Sequence, residues 1–143
     1  MTAHDRRDFL RLGTAALAAA LLPGCASLMT RPVPVEGGLV RLDLRQYPEL
    51  TETGGALRLL PDGWADPLYV LALQEGQFAA LSPICTHLGC TVEMNGERLV
   101  CPCHGSTYDR EGTVLQGPAE RPLRRFPSRT TAEGLLVIEV AGR

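Results

Sequence analysis

Cysteine and histidine are the side chains here most able to do chemistry, and beyond His4 and Cys25 they occur in only two short stretches. The first is Cys85-Thr86-His87-Leu88-Gly89-Cys90; after ten intervening residues comes Cys101-Pro102-Cys103-His104-Gly105-Ser106. Thiolate and imidazole are the soft and borderline ligands that iron and zinc select. Each stretch supplies one Cys and one His as a close pair, Cys85 with His87 and Cys101 with His104, and each adds a further cysteine. Two thiolates and two imidazoles make a mixed-ligand centre. In an iron–sulfur cluster, exchanging two thiolates for neutral imidazoles on one iron removes negative charge and raises the reduction potential. Cys90 and Cys103 are then the candidates for a covalent link between the two loops, provided the compartment is oxidising.

Two other chemistries compete. Zinc fingers pair Cys with Cys and His with His at longer spacing, and zinc would leave Cys90 and Cys103 without a role. A catalytic Cys–His pair is poorly served too, because no separate base or oxyanion donor accompanies it.

The remaining residues must position these loops. At 143 residues the chain is long enough for one domain, and 45% hydrophobic content supports a packed core. A net charge of −2 gives no electrostatic reason to expect a nucleic-acid partner. Frequent Gly and Pro, 15 and 11 residues, favour short strands over long helices. Short apolar patterns predict strands over Leu39–Leu44, Ala56–Leu60, Phe78–Leu81, Arg98–Cys101, Thr107–Asp109 and Leu135–Val140, and the continuous apolar run Leu68–Leu73 predicts a buried strand. Thr53-Gly54-Gly55, Pro61-Asp62-Gly63, Glu75-Gly76-Gln77, Asn95-Gly96 and Asp109–Gly112 read as turns. The expected class is all-β, with both Cys/His stretches on loops between strands.

Residues 1–25 read as an address. Arg6 and Arg7 precede an apolar run of 11 residues, Leu12 to Leu22, which resembles a twin-arginine export signal. As a helix the run spans about 16 Å, short of the roughly 30 Å hydrocarbon core. Leu22-Pro23-Gly24-Cys25 resembles a lipobox and makes Cys25 a lipidation candidate, which would account for the odd cysteine among the five. Residues 26–37, with Pro32 and Pro34, read as a tether, and residues 38–143 as the domain.

Residues 82–109 closely resemble the Rieske iron–sulfur proteins, in particular the disulfide-bearing type of cytochrome bc complexes. Cys85-Thr-His87-Leu-Gly-Cys90 with Cys101-Pro-Cys103-His104-Gly-Ser106-Thr-Tyr108 carries the likeness. It implies one 2Fe-2S cluster per chain, with Cys85 and Cys101 on one iron, His87 and His104 on the other, and Cys90 bridged to Cys103. It implies a fold of three small antiparallel sheets, a cluster-binding part over about residues 82–120, and histidines facing solvent. Ser106 and Tyr108 match positions whose hydroxyls hydrogen-bond cluster and ligand sulfurs and raise the potential. Leu88 would sit at the exposed tip. Gly117-Pro118-Ala119 resembles the start of a proline loop that covers the cluster, but Glu120 stands where a second proline is usual.

The expected function is one-electron transfer, as the iron–sulfur subunit of a membrane quinol:cytochrome c oxidoreductase-like system. Its partners would be a quinol-oxidising cytochrome b and a c-type cytochrome acceptor, with the N-terminus on the periplasmic face of a bacterial cytoplasmic membrane. Twin-arginine export suits such a protein, because it carries a folded, cluster-loaded chain to the compartment where a disulfide persists. The alternative is a stand-alone periplasmic carrier, or the small Rieske subunit of another oxidoreductase such as an arsenite-oxidase-like enzyme. The short gap of 13 residues between His87 and Cys101 favours this alternative. No independent active site is evident in either case, and dioxygenase-type Rieske ferredoxins usually lack the two extra cysteines.

Overall fold

The computed structural model describes residues 28–141. The export signal and Cys25 lie outside the described residues. Among the described residues, twelve strands form three sheets: β1 (Thr30–Val33), β2 (Leu39–Asp43), β3 (Ala56–Pro61), β4 (Leu68–Ala72), β5 (Phe78–Leu81), β6 (Glu93–Asn95), β7 (Arg98–Val100), β8 (Thr107–Tyr108), β9 (Val114–Gln116), β10 (Arg125–Phe126), β11 (Ser128–Thr130) and β12 (Leu135–Glu139). The largest sheet runs β1-β3-β4-β5-β10, the smallest β11-β12-β2, and the third β6-β7-β8-β9. Only short 3₁₀ turns interrupt the β structure among the described residues. The all-β expectation of three small sheets is met, with one departure: β1 pairs parallel to β3.

β4 joins the two halves of the core. Its residues are buried on both faces, which is why Leu68–Ala72 reads as a continuous apolar run and not as an alternation. Leu68, Val70 and Ala72 point into one core with Leu57, Leu59, Val40, Leu42, Leu136 and Ile138, between the large and small sheets. Tyr69 and Leu71 point the other way, with Ala79 and Leu81 of β5, into a second core. That second core also holds Val92, Leu99, Tyr108, Leu123 and the two cysteines Cys85 and Cys101. The period of two along a strand thus lets one strand carry the base on one face and the Cys/His loops on the other.

Thr30–Val33, read as tether because of its prolines, is instead edge strand β1. Proline cannot donate to a ladder, and an edge position needs only one side of the strand to pair. Arg31 secures the strand by an ion pair to Glu49 and by lying 5.8 Å from the centre of the Tyr47 ring.

Candidate metal centre

Each Cys/His stretch is the tip of a hairpin with its own stem. Ile84 bridges Thr91, the Val92 amide donates to the Pro83 carbonyl (2.7 Å), and the Tyr69 hydroxyl reaches from β4 to the Val92 carbonyl (3.0 Å). Strands β7 and β8 form the other stem, pairing Leu99 with Tyr108 and Val100 with Thr107.

The two tips have the same backbone. The Cys85 amide donates to the Cys90 carbonyl (2.8 Å) and the Gly89 amide to the Cys85 carbonyl (2.9 Å). Likewise the Cys101 amide donates to the Ser106 carbonyl (2.8 Å) and the Gly105 amide to the Cys101 carbonyl (2.9 Å). Gly89 and Gly105 close these turns at φ 84° and 79°, a left-handed conformation that glycine adopts freely. Six residues per turn, with Cys first and Gly fifth, is therefore a structural spacing as well as a chemical one.

Closing the two tips on each other brings the predicted residues together. Cys90 and Cys103 form a disulfide. Cys85 and Cys101 remain free and are each only 2% exposed. The His87 and His104 rings meet edge to face, with centres 4.9 Å apart. His87 is half-buried and His104 exposed, beside the exposed Leu88, Pro102 and Cys103. The sulfurs of Cys90, Cys101 and Cys103 lie within 4.8 Å of one another, but the disulfide removes two of the three as metal donors.

The residues present fit a metal centre. His87 Nδ1 is buried without a hydrogen-bond partner among the described residues. A buried polar atom left so costs about 1–3 kcal/mol, and coordination would satisfy it. The chemistry of the donors agrees: two buried thiols on one side, two adjacent imidazoles toward solvent.

The hydroxyls around Cys85 are arranged to donate. Tyr108 Oη lies 3.2 Å from Cys85 Sγ and accepts the Thr86 amide (3.3 Å). Thr86 Oγ1 donates to the Arg121 carbonyl (2.6 Å), so its proton is spent, and the single phenol proton of Tyr108 has two acceptors at 3.2 Å, Cys85 Sγ and Thr86 Oγ1. Burial pushes the Cys85 thiol up, but hydrogen bonds from Tyr108, the His87 amide, Cys101 and Ser106 outweigh it and leave its pKa below the ordinary thiol value. Burial pushes the Tyr108 phenol up, and Cys85 beside it adds to the effect.

Ser106 is fully buried, and its Oγ accepts the Ala119 amide (2.9 Å), which leaves its own proton available to a sulfur. Ala119 is buried with Pro118 exposed beside it. The segment that carries Glu120 in place of a proline is thus pinned on both sides of that residue, at the Ala119 amide by Ser106 and at the Arg121 carbonyl by Thr86. Neither anchor is visible in the sequence. Thr86 lies inside the first tip, but its partner is 35 positions away and is a backbone carbonyl, which any residue type could supply.

Comparison with known proteins agrees with this geometry. Residues 57–127 match the Rieske [2Fe-2S] domain. The cytochrome b6-f complex iron-sulfur subunit 2 of Nostoc sp. is 33% identical over 136 residues, covering 84% of this chain and 76% of that one. The crystal structure of the cyanobacterial plasma membrane Rieske protein PetC3 from Synechocystis PCC 6803 superposes with a TM-score of 0.52 at 33% identity, covering 64% of this chain and 92% of that one. A quaternary ammonium Rieske monooxygenase, CntA, at 14% identity and a TM-score of 0.55, shares the fold over 67% of this chain and 30% of its own. With two Cys/His hairpin tips, a disulfide between them and these matches, the chain belongs to the Rieske [2Fe-2S] domain family.

Proposed function

We propose that this chain is a one-electron carrier in which Cys85 and Cys101 hold one iron of the 2Fe-2S cluster and His87 and His104 the other. The observation that carries the ligand assignment is the buried, unpartnered His87 Nδ1 beside the His104 ring. When bound, the cluster supplies a single reversible redox site of higher potential than an all-thiolate one. The protein does the rest. Cys85 and Cys101 lie in the apolar second core, which excludes water from the sulfur side. His104 is exposed and His87 half-buried, so one edge of the centre meets solvent and can exchange a proton as the electron arrives. Leu88, 69% exposed at that edge, offers an apolar contact to a redox partner.

The relatives named as cytochrome b6-f iron-sulfur subunits support a place in a quinol-oxidising membrane complex, with a membrane cytochrome as donor site and a c-type cytochrome as acceptor. No helix among the described residues is long and apolar enough to cross a membrane. The sequence of residues 1–25 supports attachment there: a twin-arginine-like signal at Arg6-Arg7, an apolar run to Leu22, and a lipidation candidate at Cys25. One acyl chain holds a protein only marginally, so a second chain or docking on the partner complex would be required. The export-like signal and the disulfide, which an oxidising compartment preserves, support a place on the periplasmic face.

Electron paramagnetic resonance of the reduced chain tests the assignment. The expected result is the spectrum of a mixed Cys/His two-iron cluster, with a midpoint potential that falls as pH rises because a histidine proton accompanies the electron. A colourless, zinc-loaded chain, or the spectrum of an all-thiolate cluster, would defeat it. Tyr108→Phe should keep the cluster and lower its potential, since the hydroxyl at 3.2 Å from Cys85 Sγ is lost while the ring still fills its buried site. Reconstituted variant and parent compared in one redox titration read this directly; equal potentials would show that the phenol donates elsewhere.

A further inference from the structure

Three sulfurs meet at the joint between the tips, and only two of them are bonded. Cys101 Sγ lies within 4.8 Å of both Cys90 Sγ and Cys103 Sγ. Cys101 is a free thiol and Cys90–Cys103 is a disulfide. We propose that in the cluster-free chain Cys101 exchanges into the Cys90–Cys103 bridge, so that a chain that closes its disulfide before receiving its cluster inactivates itself.

The step is an isomerisation and needs no oxidant. Cys101 gives its proton to water and the thiolate attacks Cys90 Sγ; the Cys90–Cys103 bond breaks, a Cys90–Cys101 bond forms, and Cys103 leaves as the thiolate and takes a proton back from water. The leaving sulfur is favourably placed: Cys103 is exposed, Cys90 half-buried and Cys101 buried. The alternative product would close a ring through Pro102 alone, whose fixed φ resists the required turn. Because attacker and disulfide sit on the same two hairpin tips, the reaction is intramolecular and proceeds at a high effective concentration. Burial of Cys101 shields it from thiols in solution but not from this neighbour. Cys85, which neighbours Cys101 but whose sulfur does not lie within 4.8 Å of all three of these sulfurs, is the internal control.

The exchange itself depends only on these sulfurs. Its meaning for loading rests on the proposed role of Cys101 as an iron ligand: metal on that sulfur blocks attack, and exchange consumes the ligand. Cluster insertion would then have to precede disulfide closure, which is the order that export of a folded, loaded chain provides.

The test uses the full chain, stripped of cluster by a chelator without oxygen, with the native bridge intact. Thiols are trapped over time by alkylation, and disulfides are located by peptide fragmentation. The expected result is first-order growth of a Cys90–Cys101 disulfide with matching alkylation at Cys103, independent of chain concentration. It should be absent in the loaded chain and in Cys101→Ser, and persist in Cys85→Ser. A Cys90–Cys103 bridge that survives unchanged beside a free Cys101 overturns the proposal, as does equal participation of Cys85, which would signal scrambling of an unfolded chain. Disulfide mapping decides this whatever the spectrum of the loaded protein shows.

Discussion

Ser106→Ala is expected to lower the midpoint potential of the centre and to destabilise the cluster-binding hairpins at once. The two effects arise from opposite sides of one oxygen. Its proton is free for a sulfur, because Oγ already accepts the Ala119 amide, and Ser106 is one of the groups that lower the Cys85 pKa. A bond to sulfur is stronger when the cluster carries the extra electron, so losing it favours the oxidised form. The lone pair serves the fold. Ala119 is 4% exposed, and its amide would be left buried and unpaired at a cost of about 1–3 kcal/mol. Redox titration and chemical unfolding of the same loaded variant separate the two roles. A lowered potential with unchanged stability would mean that Ala119 finds another acceptor, and an unchanged potential would remove Ser106 from the tuning of the centre. Tyr108→Phe should have the smaller structural effect, because the Thr86 amide it orphans is only part-buried.

The disulfide pair, the placement of the two hydroxyls and the meeting of the candidate ligands at the tips were legible in the sequence because they sit within two six-residue turns and their immediate flank. At that range, spacing and geometry are nearly the same thing. Cys first and Gly fifth specify a turn closed by a left-handed residue, and both turns form in that way. The longer strands were legible for a similar reason: Leu39–Asp43, Ala56–Pro61 and Leu135–Glu139 are long enough for a period of two to be read. Strands of two or three residues, such as β9, β10 and β11, have no period to detect and exist because their neighbours pair with them. Thr30–Val33 was misread because proline content is a local signal, whereas an edge position in a sheet is decided elsewhere in the chain. The Glu120 segment is the clearest case of distant control. A second proline would stiffen it locally; here two hydrogen bonds across 13 and 35 positions fix it instead.

Removing the bridge, by Cys90→Ala with Cys103→Ala, should damage the cluster-free chain more than the loaded one. The bridge closes a separation of 13 residues, for which chain entropy alone predicts a stabilisation of about 3 kcal/mol. Its local task is more specific. Each tip has its own stem, Ile84 with Thr91 and β7 with β8, so neither hairpin depends on the disulfide to form. The disulfide is a covalent tie between the tips themselves. A cluster held by Cys85 and His87 from one tip and Cys101 and His104 from the other would be a second tie across the same joint. With both present, loss of one is partly covered by the other; with the cluster absent, the bridge carries the joint alone. Thermal unfolding of both variants, loaded and stripped, should therefore show the larger fall in Tm for the stripped pair. The loaded double variant should lose its visible absorbance faster than the parent, as the tips part and water reaches the buried sulfurs of Cys85 and Cys101. Equal falls in Tm in the two states would mean that the proposed ligands do not join the tips, and that the metal is held within one hairpin.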